Sequence, residues 1–195
     1  MLGVKGLVAQ TMDGRKSNPD PGQPPHIFPA GSWIFTPPRA GQWKFVAWGP
    51  GGHGGNGASG AYFEKTVSLS IVSTVQIVVG TPTLSDTTVT FPNGIVATAG
   101  RAAGSAVGVA TGGDVNLAGS TSASVGLGTG GGRAGTGGAG AGSGAPANLP
   151  YRGGPGADIA AFSQANNSPG GGGTNDGIVP TPGGAGLVLA VFVRD

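Results

Sequence analysis

The chain contains no cysteine, and only 9% of its 195 residues are charged. The first absence removes disulfides, thiolate metal sites and thiol nucleophiles together. The second removes most polyelectrolyte partners. Ten Lys and Arg against eight Asp and Glu give a net charge of +2, and the basic residues are scattered from Lys5 to Arg194 with no stripe for displacing counterions from a nucleic acid. No apolar run reaches the ~18 residues of a membrane-spanning helix, so no membrane insertion is expected. The opening MLGVKGLVAQT has too short an apolar stretch to read as a signal peptide. No window shows a helical period.

What fills the space is glycine. The 43 glycines and 16 prolines make 59 of 195 residues, a share that usually marks low-complexity or disordered chain. Disorder, however, goes with low hydrophobicity and high charge. Here charge is scarce and mean hydropathy is +0.09. A chain poor in both charged and bulky side chains stays soluble only by burying backbone as well as side chains.

Residues 1–26 read as an extended, proline-rich connector. Prolines 19, 21, 24 and 25 remove donors and fix φ across SNPDPGQPPH. Residues 27–195 read as one glycine-rich β domain. Its sheet is expected over 27–115 plus 187–193, with glycine tracts and loops over 116–186. Eight of the twelve aromatics fall between Phe28 and Phe63. SWIFT places Trp33 and Phe35 on one face, and QWKFVAW places Trp43, Phe45 and Ala47 opposite Lys44, Val46 and Trp48. AYFEKTVSLSI alternates throughout, TVQIVVG adds Val75, Ile77 and Val79, and TTVTF-PNG-IVATA reads as a hairpin closed at Asn93-Gly94. LVLAVFVRD supplies a last buried strand. Period-two alternation with β-branched residues and Gly/Asn/Pro punctuation predicts an all-β fold: an antiparallel β-sandwich or partly open barrel with almost no helix.

The tracts at 49–60, 130–144, 153–156, 169–173 and 182–186 interrupt this pattern. Glycines 51, 54, 57 and 60 share a three-residue register, as do 132, 135, 138 and 144. Three residues per turn is the polyproline-II period, and glycine at every third position lets such strands pack axis to axis. Polyglycine-II-like strands are therefore expected, with flexible linkers as the alternative.

Enzymatic chemistry finds no footing. GPGGHG matches G-x-G-x-x-G after a strand, but GNGASGAY follows where a helix is required. Neither a phosphate-binding G-x-x-x-x-G-K-[ST] nor a G-x-S-x-G nucleophile turn occurs. His26, in the connector, and His53, in a glycine tract, read as solvated surface residues. No two of the eight acids are closer than seven residues, so no paired-carboxylate or metal motif is present. No cofactor is expected.

The run from Gly31 to Gly80 carries Phe35-Thr36-Pro37-Pro38, a strand ending in Trp48-Gly49, the glycines 51–60, Gly60-Ala61-Tyr62-Phe63-Glu64-Lys65 and Val79-Gly80. It is followed at the far end by the Pro182–Val188 strand lead. This order resembles the glycine-rich domain of bacteriophage tail-fibre and virion spike proteins, over about residues 30–195. It resembles more loosely the polyglycine-II adhesin tips of T-even-type tail fibres. The stretch Thr81–Asn116 departs from the pattern, with fewer glycines and more ordinary strand sequence. The resemblance implies a virion protein at the tip of a fibre or spike, attached to other virion proteins through residues 1–26 and binding a host cell-surface glycan or outer-membrane protein. The alternative is a purely structural virion piece, such as a spike base, collar or decoration protein. Fibre proteins of this type are commonly trimers, and the crowded aromatics point the same way, so a homotrimer using some of Trp33, Trp43 and Trp48 is expected. Receptor contacts are expected in loops between glycine strands, at Tyr151, Arg152, Phe162, Gln164, Asn166, Asn167, Asn175 and Asp176. There an aromatic ring, amides and a guanidinium could meet sugar hydroxyls or phosphates. The alternative for Tyr151 and Phe162 is that they anchor their loops to the sheet.

Overall fold

In a computed structural model, residues 25–52, 58–119, 170 and 183–194 are described. They form two five-stranded antiparallel sheets and, among the described residues, no helix. The first sheet takes β1 (His26–Phe28), β10 (Leu187–Arg194), β3 (Gly41–Trp48), β4 (Tyr62–Leu69) and β9 (Val115–Leu117), in that spatial order. The second takes β2 (Gly31–Phe35), β5 (Val75–Val79), β6 (Thr87–Thr90), β7 (Val96–Ala99) and β8 (Ala110–Thr111). The all-β sandwich expected from alternation is what forms, and the sheets do not close into a barrel.

Alternation dictates the core. Phe28, Trp43, Phe45, Ala47, Phe63 and Val188 face inward from the first sheet, and Phe35, Val75, Ile77, Val79, Val89 and Ala97 from the second. Edge-to-face ring pairs knit the two layers, Phe35 with Trp43 at 5.1 Å and Phe45 with Phe91 at 5.2 Å, and within the first sheet Trp43 pairs with Phe192 at 5.4 Å. These are the offset geometries that the ring quadrupole favours. The other face of the first sheet carries a second cluster of Val46, Trp48, Tyr62, Leu187 and Leu189. Trp43 and Trp48 pack inside this chain, so Trp33 is the one of the three candidate interface tryptophans left partly exposed.

The predicted hairpin forms as read. Phe91 N–H donates to the Ile95 carbonyl, Ile95 N–H donates to Asn93 Oδ1, and Gly94 takes φ +79°, a conformation that favours glycine. His26 differs from expectation. It is the first residue of β1, pairs with Ala190, and lies half-buried with its ring 5.2 Å from Phe35 and 5.7 Å from Trp43. Burial pushes its pKa down. The strands also reach Leu117 and Arg194, slightly past the expected limits.

Candidate functional site

The sandwich has two unlike ends. At one end β3 stops at Trp48, β5 at Val79 and β7 at Ala99, while β4 starts at Tyr62 and β10 at Leu187. Beyond them the chain continues as glycine-rich backbone that hydrogen-bonds in more directions than a sheet allows. A strand in a sheet has two bonded neighbours. Residues 58–61 have four. Gly49 and Gly52 N–H donate to the Ala61 and Ala58 carbonyls, Ala58 and Ala61 N–H donate to Gly104 and Gly100, Gly108 N–H donates to Ser59, and Gly60 N–H donates to Gly170. Residues 49–52 likewise bond to three segments, through Gly51 N–H to Gly184 and Ala102 N–H to the Pro50 carbonyl. This is the bonding of a packed backbone layer rather than of free linkers.

Close approach explains the composition. A Cβ on Gly60 would fall on the Gly49 carbonyl, and one on Gly108 would fall on the Gly100 carbonyl, 2.6 Å from Ala61 N. Backbone cannot retreat as a side-chain tip can, so these sites accept only hydrogen. Ser59, fully buried, shares the layer. The expectation that backbone itself would be buried and bonded is met among the described residues of tracts 49–60 and 182–186.

All eight predicted receptor contacts, Tyr151, Arg152, Phe162, Gln164, Asn166, Asn167, Asn175 and Asp176, lie outside the described residues, as do His53 and most of the connector. The described residues that flank these stretches are placed, however. Gly119 donates to the Gly108 carbonyl, Gly170 to Ala185, and Gly183 sits against Gly51. All three belong to the glycine end.

The same end carries a feature that alternation does not reveal. Between β5 and β6, Thr83 holds φ +70°, a left-handed conformation that costs a β-branched residue roughly 1–2 kcal/mol. One contact reaches it directly, and a second fixes the arginine that makes it. Arg101 Nη1 donates to the Thr83 carbonyl at 2.8 Å, and Arg101 N–H donates to Asp86 Oδ1 at 2.8 Å. The strained turn displays Leu84, 78% exposed. An exposed leucine on a backbone held out of its preferred conformation is a contact candidate on geometry. In the sequence, TPTLSDT gives only an ordinary loop.

The remaining charges are structural. Burial raises the pKa of Glu64, but hydrogen bonds from Lys44 and Tyr62 outweigh it, and the net shift is downward. Asp114 is held low by its bond to Lys65 Nζ at 2.6 Å and by Thr66 N–H. Each lysine and carboxylate here ties neighbouring strands together on the first sheet. No cluster of three His, Cys, Asp or Glu is placed to hold a metal among the described residues. No protein-family model, curated protein or solved structure matches this chain.

Proposed function

We propose that the chain is a virion protein at the tip of a bacteriophage tail fibre or spike, and that its glycine end meets the bacterial surface. The supporting observation is the polarity of the sandwich. His26 pairs with Ala190 in mid-strand, and β1 runs from there toward the glycine end. Every described residue that borders the glycine-tract loops (Gly52, Ala58, Gly119, Gly170, Gly183) lies at the glycine end. The glycine end is therefore suited to display. The dense backbone network suits an exposed appendage without disulfides, because it leaves few donors for water or protease to compete for.

The receptor in this reading is a surface glycan or outer-membrane protein. The residues that meet it are Leu84 together with the loop set Tyr151, Arg152, Phe162, Gln164, Asn166, Asn167, Asn175 and Asp176. Assembly as a homotrimer rests on the family resemblance alone. The test is competition: purified protein, added to host cells before the parent virus, should lower adsorption in a dose-dependent way. Saturating protein that neither binds cells nor slows adsorption would leave the purely structural virion role.

A further inference from the structure

The hairpin that joins β6 to β7 is built on a residue pair with chemistry of its own. The two strands pair as far as Thr90 opposite Val96, and Phe91 N–H donates to the Ile95 carbonyl at 2.9 Å to close the ladder. Gly94 N–H donates back to the Phe91 carbonyl at 2.9 Å, which puts Pro92 and Asn93 at the two central positions of a β-turn. Gly94 follows at φ +79°. This order of proline, asparagine and left-handed glycine is chosen for backbone shape. Below the turn Phe91 is buried against Phe45. Above it Asn93 and Gly94 are exposed, and a Cβ on Gly94 would meet nothing within 4 Å.

The same pair is open to an internal reaction of the kind that makes asparagine thermolabile. Joining the Gly94 nitrogen to the Asn93 side-chain carbonyl carbon closes a five-membered ring, and glycine brings no side chain to block their approach. Attack forms the bond from Gly94 N to Asn93 Cγ and breaks the Cγ–Nδ2 bond. Ammonia leaves with the proton from the Gly94 nitrogen, and a succinimide remains. Water then opens the ring. Cleavage at the side-chain carbonyl gives aspartate, and cleavage at the main-chain carbonyl gives isoaspartate, with an extra carbon in the backbone.

Two hydrogen bonds oppose ring closure while the hairpin is shut. Asn93 Oδ1 accepts from Ile95 N–H at 3.1 Å, which holds the carboxamide toward residue 95, and the Gly94 N–H is engaged by the Phe91 carbonyl. Both bonds must break before N and Cγ meet. We propose that Asn93 is a site of spontaneous modification to aspartate and isoaspartate, which the closed hairpin restrains, so that conversion proceeds through the opened turn. Aspartate keeps the oxygen that Ile95 N–H needs. Isoaspartate lengthens the chain between residues 93 and 94, so the bonds Gly94–Phe91 and Phe91–Ile95 no longer close together, and the hairpin stays loosened. The inference needs only this hairpin and water, and does not rest on the virion reading.

The test is timed incubation of the purified full chain in mildly alkaline buffer, with and without unfolding urea, followed by tryptic digestion. Cleavage after Lys65 and Arg101 releases residues 66–101, in which Asn93 is the one asparagine. Exchange of its NH2 for OH is read by mass spectrometry, and electron-transfer fragmentation separates isoaspartate from aspartate. The unfolded chain should convert at least ~10-fold faster than the folded one, a factor within reach of two ordinary hydrogen bonds. Asn93→Gln, which leaves Gln76 as background, should abolish the mass gain. Asn93→Asp should melt with the wild type, whereas the isoaspartyl fraction, isolated by ion exchange and refolded, should melt lower. No mass gain in urea overturns the site. Equal rates in folded and unfolded chain overturn the restraint by the hairpin. An isoaspartyl form that melts with the wild type overturns the loosened hairpin, and an Asn93→Asp variant that melts as low as that form overturns backbone lengthening as its cause.

Discussion

Substituting Gly60 by alanine separates a packed glycine layer from a merely glycine-rich loop. The φ of Gly60 lies outside the left-handed range, so alanine meets no conformational penalty there, only neighbours. Its Cβ would fall on the Gly49 carbonyl and within 2.6 Å of the Pro50 oxygen. Overpacking of this kind costs up to about 3 kcal/mol. Separating the segments also weakens the bonds from Gly60 N–H to Gly170 and from Gly49 N–H to Ala61, at about 1 kcal/mol each. The expected loss is about 4–5 kcal/mol. Gly94→Ala is the internal contrast, because a Cβ there has nothing within 4 Å and meets only the strain of φ +79°, about 1–2 kcal/mol. Urea denaturation followed by tryptophan fluorescence reads both, since Trp43 and Trp48 are buried in the fold. A Gly60→Ala midpoint no lower than that of Gly94→Ala would refute the close-packed layer.

Acid should destabilise the protein in two stages. Folded His26 has a pKa below 6.5 because burial disfavours the imidazolium, so stability should fall as pH drops below about 6.5 and level off beneath the lowered value; His26→Phe should remove that stage in a pH series of denaturation midpoints. Glu64 and Asp114 are held below their ordinary values, so their contribution is complete above the usual carboxylate range and lost as pH falls through the lowered values, and Glu64→Gln should flatten that second stage. Thr83→Gly should relieve the left-handed strain, net of glycine's extra chain entropy, and stabilise by about 0.5–1 kcal/mol, while Leu84→Ser should weaken cell binding at unchanged melting temperature. Replacing Tyr151, Arg152 and Asn175 together by alanine should abolish host binding without altering the melting temperature; retained binding in a cell pull-down would remove those loops from the site.

The parts legible in the sequence are those in which side chains carry the pattern. QWKFVAW alternates cleanly because both its faces pack, one into the core and one into the Trp48–Tyr62 cluster. Asn93-Gly94 announces its turn because only a few residues accept that backbone. The short strands were hidden: β1, β8 and β9 are two or three residues long, too brief for a period to show. His26 was read as connector because the prolines before it end only at Pro25. The partition into two sheets was also hidden, because β4 and β5 are consecutive strands with the same alternation, yet the turn at Ile71-Val72 carries the chain from one sheet to the other. Glycine tracts gave a three-residue spacing but not their partners, which are chosen by backbone bonds rather than side chains. The strain at Thr83 and the stacking of Arg39 on Phe192 join residues distant in sequence, and no local pattern encodes either.

The central claim, that the glycine end is the exposed tip, is tested most directly by locating that end on the assembled particle. A short epitope inserted between Gly52 and Ala58 and labelled with antibody-coupled gold should appear in electron micrographs at the outermost point of the fibre or spike. Label at the particle-proximal side of the appendage, or none on intact particles that contain the protein, would contradict the account.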